Sequence, residues 1–144
     1  MDTQQKDLSY FRLRLQELLN TSFPEKANDI KFINQRSSWA STAYEGSFQS
    51  GNDIERCNEI ANYILFEGLH FSKFETVFQV VCNEFDTLMA DEELQPFALK
   101  MFRACEPIFS NYALTDDFAY GYEFDHLYTE ITGTIAIWIT ENGL

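Results

Sequence analysis

Residues 71–89, FSKFETVFQVVCNEFDTLM, carry the clearest helix signal in the chain and decide its fold class. Ser72 and Glu75 stand at capping-box spacing, in which the serine oxygen accepts from a backbone N–H and the glutamate reaches back to the cap. Apolar residues then recur at intervals of three and four, which places them on one helical stripe. They are Phe74, Val77, Phe78, Val81, Phe85 and Leu88. A helix whose apolar side chains cover more than half of its circumference is buried. We therefore predict a central helix over residues 72–89.

The composition favours helices for the rest of the chain. A length of 144 residues is a common single-domain size, and 45% hydrophobic residues supply ample core material. Six Gly and three Pro leave few obligatory turns, which argues against a sandwich or barrel. We therefore predict one all-α multihelical domain spanning residues 1–144, with about five or six helices packed around residues 72–89.

The carboxy-terminal segment permits two interpretations. Residues 123–139 form a helical stripe, whereas Ile135, Ile137 and Ile139 alternate as in a strand. Residues 132–140 are rich in β-branched side chains, and Gly133 costs a helix about 1 kcal/mol relative to alanine. We predict a helix because the helical stripe is much longer than the alternating stretch.

The charge of the chain is strongly negative and unevenly distributed. The net charge is −13, and residues 104–144 contain seven acidic and no basic side chains. Such a chain repels phosphate backbones and anionic lipid headgroups, so direct binding to nucleic acid or to a membrane surface is disfavoured. We expect a charged partner to be a basic protein. The alternative is that the acidic surface only keeps the protein in solution.

Three features indicate a cytoplasmic protein. Residues 1–7 contain no apolar region, which predicts the absence of a signal peptide. The longest wholly apolar run, 135–139, is far shorter than the roughly 20 residues of a membrane span. The three cysteines have no C-x-x-C spacing and are interpreted as reduced core thiols: Cys57, Cys82 and Cys105.

Both histidines follow a glutamate by three residues, which on a helix places carboxylate and imidazole on one face. Di-iron carboxylate bundles use this E-x-x-H unit on two helices, with one further Glu from each of the others. Gly68 and the cap at Ser72 indicate that the helix ends inside the first of these motifs, and the alternative is that both are surface histidines or satisfied histidines at the boundary of the core. No other pattern implies a cofactor or a catalytic site. The candidate metal ligands are Glu67, His70, Glu123, His126, Glu17 and Glu84.

An aromatic and acidic run occupies the cation-free last third of the chain. Tyrosines are amphipathic anchors at protein interfaces, although we expect about half of these aromatic residues to pack in the core. We hypothesise that the remainder forms a surface for a basic protein, and we call it the acidic tyrosine face. It consists of Asp116, Asp117, Tyr120, Tyr122 and Asp125.

Three segments carry a resemblance to a known family: residues 8–15 (LSYFRLRL), 58–74 (NEIANYILFEGLHFSKF) and 117–124 (DFAYGYEF). They resemble a family of small uncharacterised proteins, a domain of unknown function found in Bacteroidetes. The resemblance covers nearly the full chain. It implies an all-α multihelical fold and a genetic setting on conjugative transposons, and it assigns no activity and no site residues.

These observations favour a non-enzymatic function. We expect an acidic protein-interaction or accessory protein of a mobile element, which binds a basic protein through the acidic tyrosine face. A more specific version is a DNA mimic that inhibits a nucleic-acid-binding protein. The alternative from another class is a carboxylate-bridged metal-binding helical bundle with redox activity.

Overall fold

Helices make up the regular structure of the described chain. A computed structural model describes residues 7–144; residues 1–6, on which the expected absence of a signal peptide depends, lie outside the described residues. Over residues 7–144 there are six α-helices and no strand, which confirms the predicted fold class and helix number. None of these helices is long and apolar enough to cross a membrane. They are α1 (Leu8–Ser22), α2 (Ile30–Gln49), α3 (Ile54–Leu65), α4 (Lys73–Glu84), α5 (Asp91–Phe109) and α6 (Glu123–Asn142).

The chain divides into two compact units, Met1–His70 and Phe71–Leu144. In the first unit α2 packs against both α1 and α3. Two arginines connect the elements of this unit: Arg14 Nη1 on α1 donates to Asn62 Oδ1 on α3 at 2.7 Å, and Arg36 Nη1 on α2 donates to the carbonyl of Glu67, just beyond α3, at 2.6 Å. The buried core of this unit comprises Phe11, Leu15, Leu19, Phe23, Ile33, Ala40, Tyr44, Cys57, Ala61, Leu65 and Leu69.

In the second unit α4 packs against α5 and α6, which also pack against each other. Helix α4 begins where the capping box predicts, because Ser72 Oγ accepts from the N–H of Glu75 at 2.9 Å. Its buried apolar residues, Phe74, Val77, Val80 and Val81, join the core of this unit. The central position of this helix in a single domain of residues 1–144 stays a prediction.

The predicted end of the central helix is wrong. Helix α4 ends at Glu84, and a short 3-10 helix, Asp86–Leu88, precedes the extended backbone of Met89. The N–H of Phe85 closes the last turn on the carbonyl of Val81 at 3.0 Å. The aspartate and threonine that follow Phe85 are poor helix formers and favour the end of the helix there. The apolar stripe therefore continues beyond the last helical residue.

The carboxy-terminal segment is helical over Glu123–Asn142, so the helix predicted for residues 132–140 is confirmed. Leu127, Ile131 and Ile135 are fully buried on one side of α6, whereas Ile137 is exposed. Burial therefore follows the helical period rather than the alternation of the isoleucines.

Candidate interaction surface

A short 3-10 helix, Phe118–Tyr120, lies at the centre of the acidic tyrosine face. The buried ring of Phe118 meets the rings of Phe71, Tyr112 and Phe124 edge to face, with centroid distances of 5.2, 5.8 and 6.3 Å. Aromatic pairs in this arrangement are favourable beyond the area that they bury. The cluster anchors the 3-10 helix, so the residues next to Phe118 in sequence are held at the surface.

The aromatic run divides between core and surface. Phe118 is buried, and Phe124 and Tyr128 are half-buried against the core of the second unit. Tyr120 and Tyr122, in contrast, are 89% and 79% exposed. The three carboxylates of the face are exposed as well: Asp116, Asp117 and Asp125. The structure therefore places all five predicted residues of the acidic tyrosine face in solvent, within one short segment.

The unit that carries the face is acidic. Residues 71–144 hold thirteen acidic and three basic side chains, a net charge of −10, and none of the three cations lies beyond residue 103. Lys73 Nζ pairs with Glu106 Oε2 at 3.1 Å, and Lys100 Nζ lies 5.4 Å from the ring centroid of Trp138. Two of these cations are therefore held by groups outside the acidic tyrosine face.

Two other tyrosines of this unit make hydrogen bonds with carboxylates. Tyr112 Oη donates to Glu130 Oε1, and this bond, with a smaller effect of burial, raises the pKa of Tyr112 to about 12. Tyr128 Oη donates to Glu84 Oε2 at 2.8 Å and accepts from Asn83 Nδ2 at 3.2 Å. Burial is the main cause that raises the pKa of Tyr128. Sequence reasoning missed both pairs, because their members are far apart in the chain and no local pattern connects them.

The first Glu-x-x-His motif does not lie on a helix. Helix α3 ends at Leu65, and Glu67 and His70 lie in the turn that follows. Gly68 between them has a φ of +81°, a left-handed conformation that ends helices. This motif therefore does not place Glu67 and His70 on one helical face, as the predicted metal site required.

The second motif keeps its predicted spacing. Glu123 and His126 are both exposed in the first turn of α6, and the His126 ring packs edge to face against Tyr122 with a centroid distance of 6.2 Å. Glu84 accepts the Tyr128 hydroxyl, and Glu17 is exposed on α1. Across residues 7–144, no group of three or more His, Cys, Asp or Glu side chains is placed to hold a metal ion.

The cysteines are free thiols, and Cys57 and Cys105 are buried. Burial raises the pKa of the Cys105 thiol to about 11. The pKa of Cys82 is also raised, chiefly by burial and further by the nearby carboxylates of Asp86 and Asp91. Since the thiolate is the nucleophilic form, a raised pKa makes Cys82 and Cys105 poor nucleophiles at neutral pH.

Residues 7–144 form six α-helices and no strand, which defines an all-α multihelical protein. The sequence matches the family described as "Domain of unknown function (DUF1896)" over residues 3–144, and the chain belongs to this family. It is similar to a solved structure titled "Crystal structure of protein PG0816 from Porphyromonas gingivalis", with 38% sequence identity and a TM-score of 0.88. That similarity covers 99% of this chain and 97% of the other. No curated protein matches the chain.

Proposed function

We propose that this protein is a non-enzymatic, cytoplasmic interaction protein that binds a basic protein through its acidic tyrosine face. One observation carries the proposal: Tyr120 and Tyr122 are 89% and 79% exposed in the middle of a segment without a lysine or arginine. Tyrosine is enriched in interfaces because it offers a large, rigid ring with a polar tip. Carboxylates beside such rings favour a cationic partner.

The charge of the second unit supports the same partner. A net charge of −10 on residues 71–144 produces a field that attracts a basic protein and speeds the encounter. This attraction is screened over about 8 Å at physiological ionic strength, so the complex is sensitive to salt.

We further infer that the protein is an accessory factor of a mobile element. This part of the proposal rests on the resemblance of residues 8–15, 58–74 and 117–124 to proteins that are often encoded on conjugative transposons. Mobile elements depend on basic proteins that handle DNA, and an acidic accessory protein matches their charge.

A pull-down from the native host tests the proposed function. The tagged 144-residue chain is used at about 0.05 M and about 0.5 M salt, between which the screening length falls roughly threefold. We expect a basic protein that is retained at low salt, lost at high salt and identified by mass spectrometry. A retained protein that itself binds nucleic acid selects the DNA-mimic version.

The double variant Tyr120→Ala/Tyr122→Ala should lose this partner and keep the helical circular dichroism of the parent. Tyr63→Ala is the matched control, because Tyr63 is 71% exposed on α3 of the first unit. Retention of the partner by the double variant, or its loss from the control alone, contradicts the proposed function.

A further inference from the structure

Each exposed tyrosine of the acidic tyrosine face lies one turn from an exposed aspartate. The first pair is Asp117 and Tyr120, which are joined across the 3-10 turn because the N–H of Tyr120 donates to the carbonyl of Asp117 at 3.0 Å. Side chains three residues apart eclipse each other in a 3-10 helix. The backbone of this turn therefore favours a position of the Asp117 carboxylate on the same edge as the Tyr120 ring.

The second pair is Tyr122 and Asp125 at the start of α6. The N–H of Asp125 donates to the carbonyl of Tyr122 at 3.3 Å, so these residues also lie one turn apart. At this spacing on a helix the Cβ atoms are about 5–6 Å apart. The edge of the Tyr122 ring meets the ring of His126, yet 79% of the tyrosine remains exposed.

We propose that each ring and carboxylate pair receives one arginine of the basic partner. The planar guanidinium stacks on the tyrosine ring and donates two hydrogen bonds to the adjacent aspartate. A lysine ammonium is a compact, strongly hydrated charge and makes neither contact as well. This inference rests on the proposed function and specifies which side chains of the basic partner are recognised.

The backbone between the pairs limits the distance between the two tyrosines. Gly121 is extended, with φ −95° and ψ 168°, and joins Tyr120 directly to Tyr122. Two residues of extended chain span at most about 7 Å, which is the upper limit of the distance between the Cα atoms of Tyr120 and Tyr122. Arginines at alternate positions of an extended segment lie within the same limit, so the proposed partner segment has Arg-x-Arg spacing.

Fluorescence anisotropy of two labelled peptides tests this inference on the 144-residue chain. One peptide alternates arginine and glycine, and the other has lysine in place of arginine. We expect the arginine peptide to bind about fivefold or more tightly, since each exposed cation–π contact contributes roughly two- to fivefold. Tyr120→Ala/Tyr122→Ala should reduce the difference between the peptides, because only the hydrogen bonds to the aspartates then favour arginine, whereas Tyr120→Phe/Tyr122→Phe should keep it.

Asp117→Asn/Asp125→Asn is a second variant, and it should weaken binding of both peptides while circular dichroism shows the parent helicity. Equal affinity for the two peptides, binding of neither peptide, or an arginine preference of undiminished size in the alanine variant overturns the inference. The host pull-down can retain a salt-sensitive basic partner while the two peptides bind with equal affinity. In that case the proposed function stands and only the arginine specificity is removed.

Discussion

Tyr44 and Tyr128 differ in whether their hydroxyls have hydrogen-bond partners. Tyr44 on α2 is 2% exposed, and its hydroxyl has no hydrogen-bond partner among the described residues. Burial is the main cause that raises the pKa of Tyr44. Tyr128 on α6, in contrast, uses its hydroxyl to join Asn83 and Glu84. Removing the two hydroxyls should therefore have opposite effects on stability.

Tyr44→Phe should raise the free energy of unfolding by about 1 kcal/mol, because a buried hydroxyl without a partner costs about 1–3 kcal/mol. Urea denaturation followed by circular dichroism measures the change. Tyr128→Phe is the matched control and should lower the free energy of unfolding by about 1 kcal/mol through its lost hydrogen bonds. A loss of stability in Tyr44→Phe as large as that in the control contradicts this account.

Tyr112 makes stability depend on alkaline pH. Its folded pKa is raised to about 12, chiefly by the hydrogen bond to Glu130, whereas an unfolded tyrosine titrates near its ordinary value of about 10. Between these values the unfolded state binds fewer protons than the folded state, so stability falls as pH rises. The stabilisation is fully present below a pH of about 10 and is lost as pH approaches 12.

Tyr112→Phe should therefore flatten the decline of stability across this alkaline window. Guanidinium denaturation at a series of alkaline pH values measures it. Glu130→Gln removes the carboxylate that contributes most to the shift and should flatten the same decline. If stability falls as steeply with pH in both variants as in the parent, another group causes the loss of stability at alkaline pH.

At the scale of the element, local signals predicted where α4 begins but not where it ends. Ser72 caps α4 as its capping box indicates, but the apolar stripe continues to Leu88 although the helix ends at Glu84. A 3-10 turn preserves nearly the same side-chain spacing, so periodicity alone does not distinguish the two. Helix α6 was predicted correctly because its buried stripe is long enough to outweigh the β-branched residues around Gly133.

Gly133 gives an element-scale prediction. It is exposed inside α6, and a methyl group added there meets nothing within 4 Å apart from its chain neighbours and the backbone of its own helix. Gly133→Ala should raise the free energy of unfolding by about 1 kcal/mol, the difference in helix propensity between the two residues. Thermal unfolding followed by circular dichroism measures the shift.

Gly68 is the matched control for this substitution. It has equally open surroundings but a φ of +81°. Gly68→Ala should destabilise the protein by roughly 1–2 kcal/mol, because a left-handed conformation crowds an alanine Cβ against the backbone. Equal effects of the two substitutions contradict the assignment of a helical Gly133 and a left-handed Gly68.

At the scale of the whole molecule, the sequence predicted the composition of the acidic tyrosine face but not its geometry. Residues 104–144 lack any cation, which is visible without a structure. The one-turn spacing of Asp117 and Tyr120 depends on a 3-10 turn anchored by the buried Phe118. Long-range contacts between aromatic rings decide which members of the run are buried, so a local sequence pattern does not identify them.

Photo-crosslinking in the native host tests whether the acidic tyrosine face contacts a basic protein. p-Benzoylphenylalanine is placed at position 122 of the acidic tyrosine face and, in a separate variant, at position 63 of the first unit. We expect a light-dependent adduct between position 122 and a basic protein, and no such adduct from position 63. An adduct with the same basic protein from position 63 alone, or none from position 122 while that protein is retained in the pull-down, would contradict it.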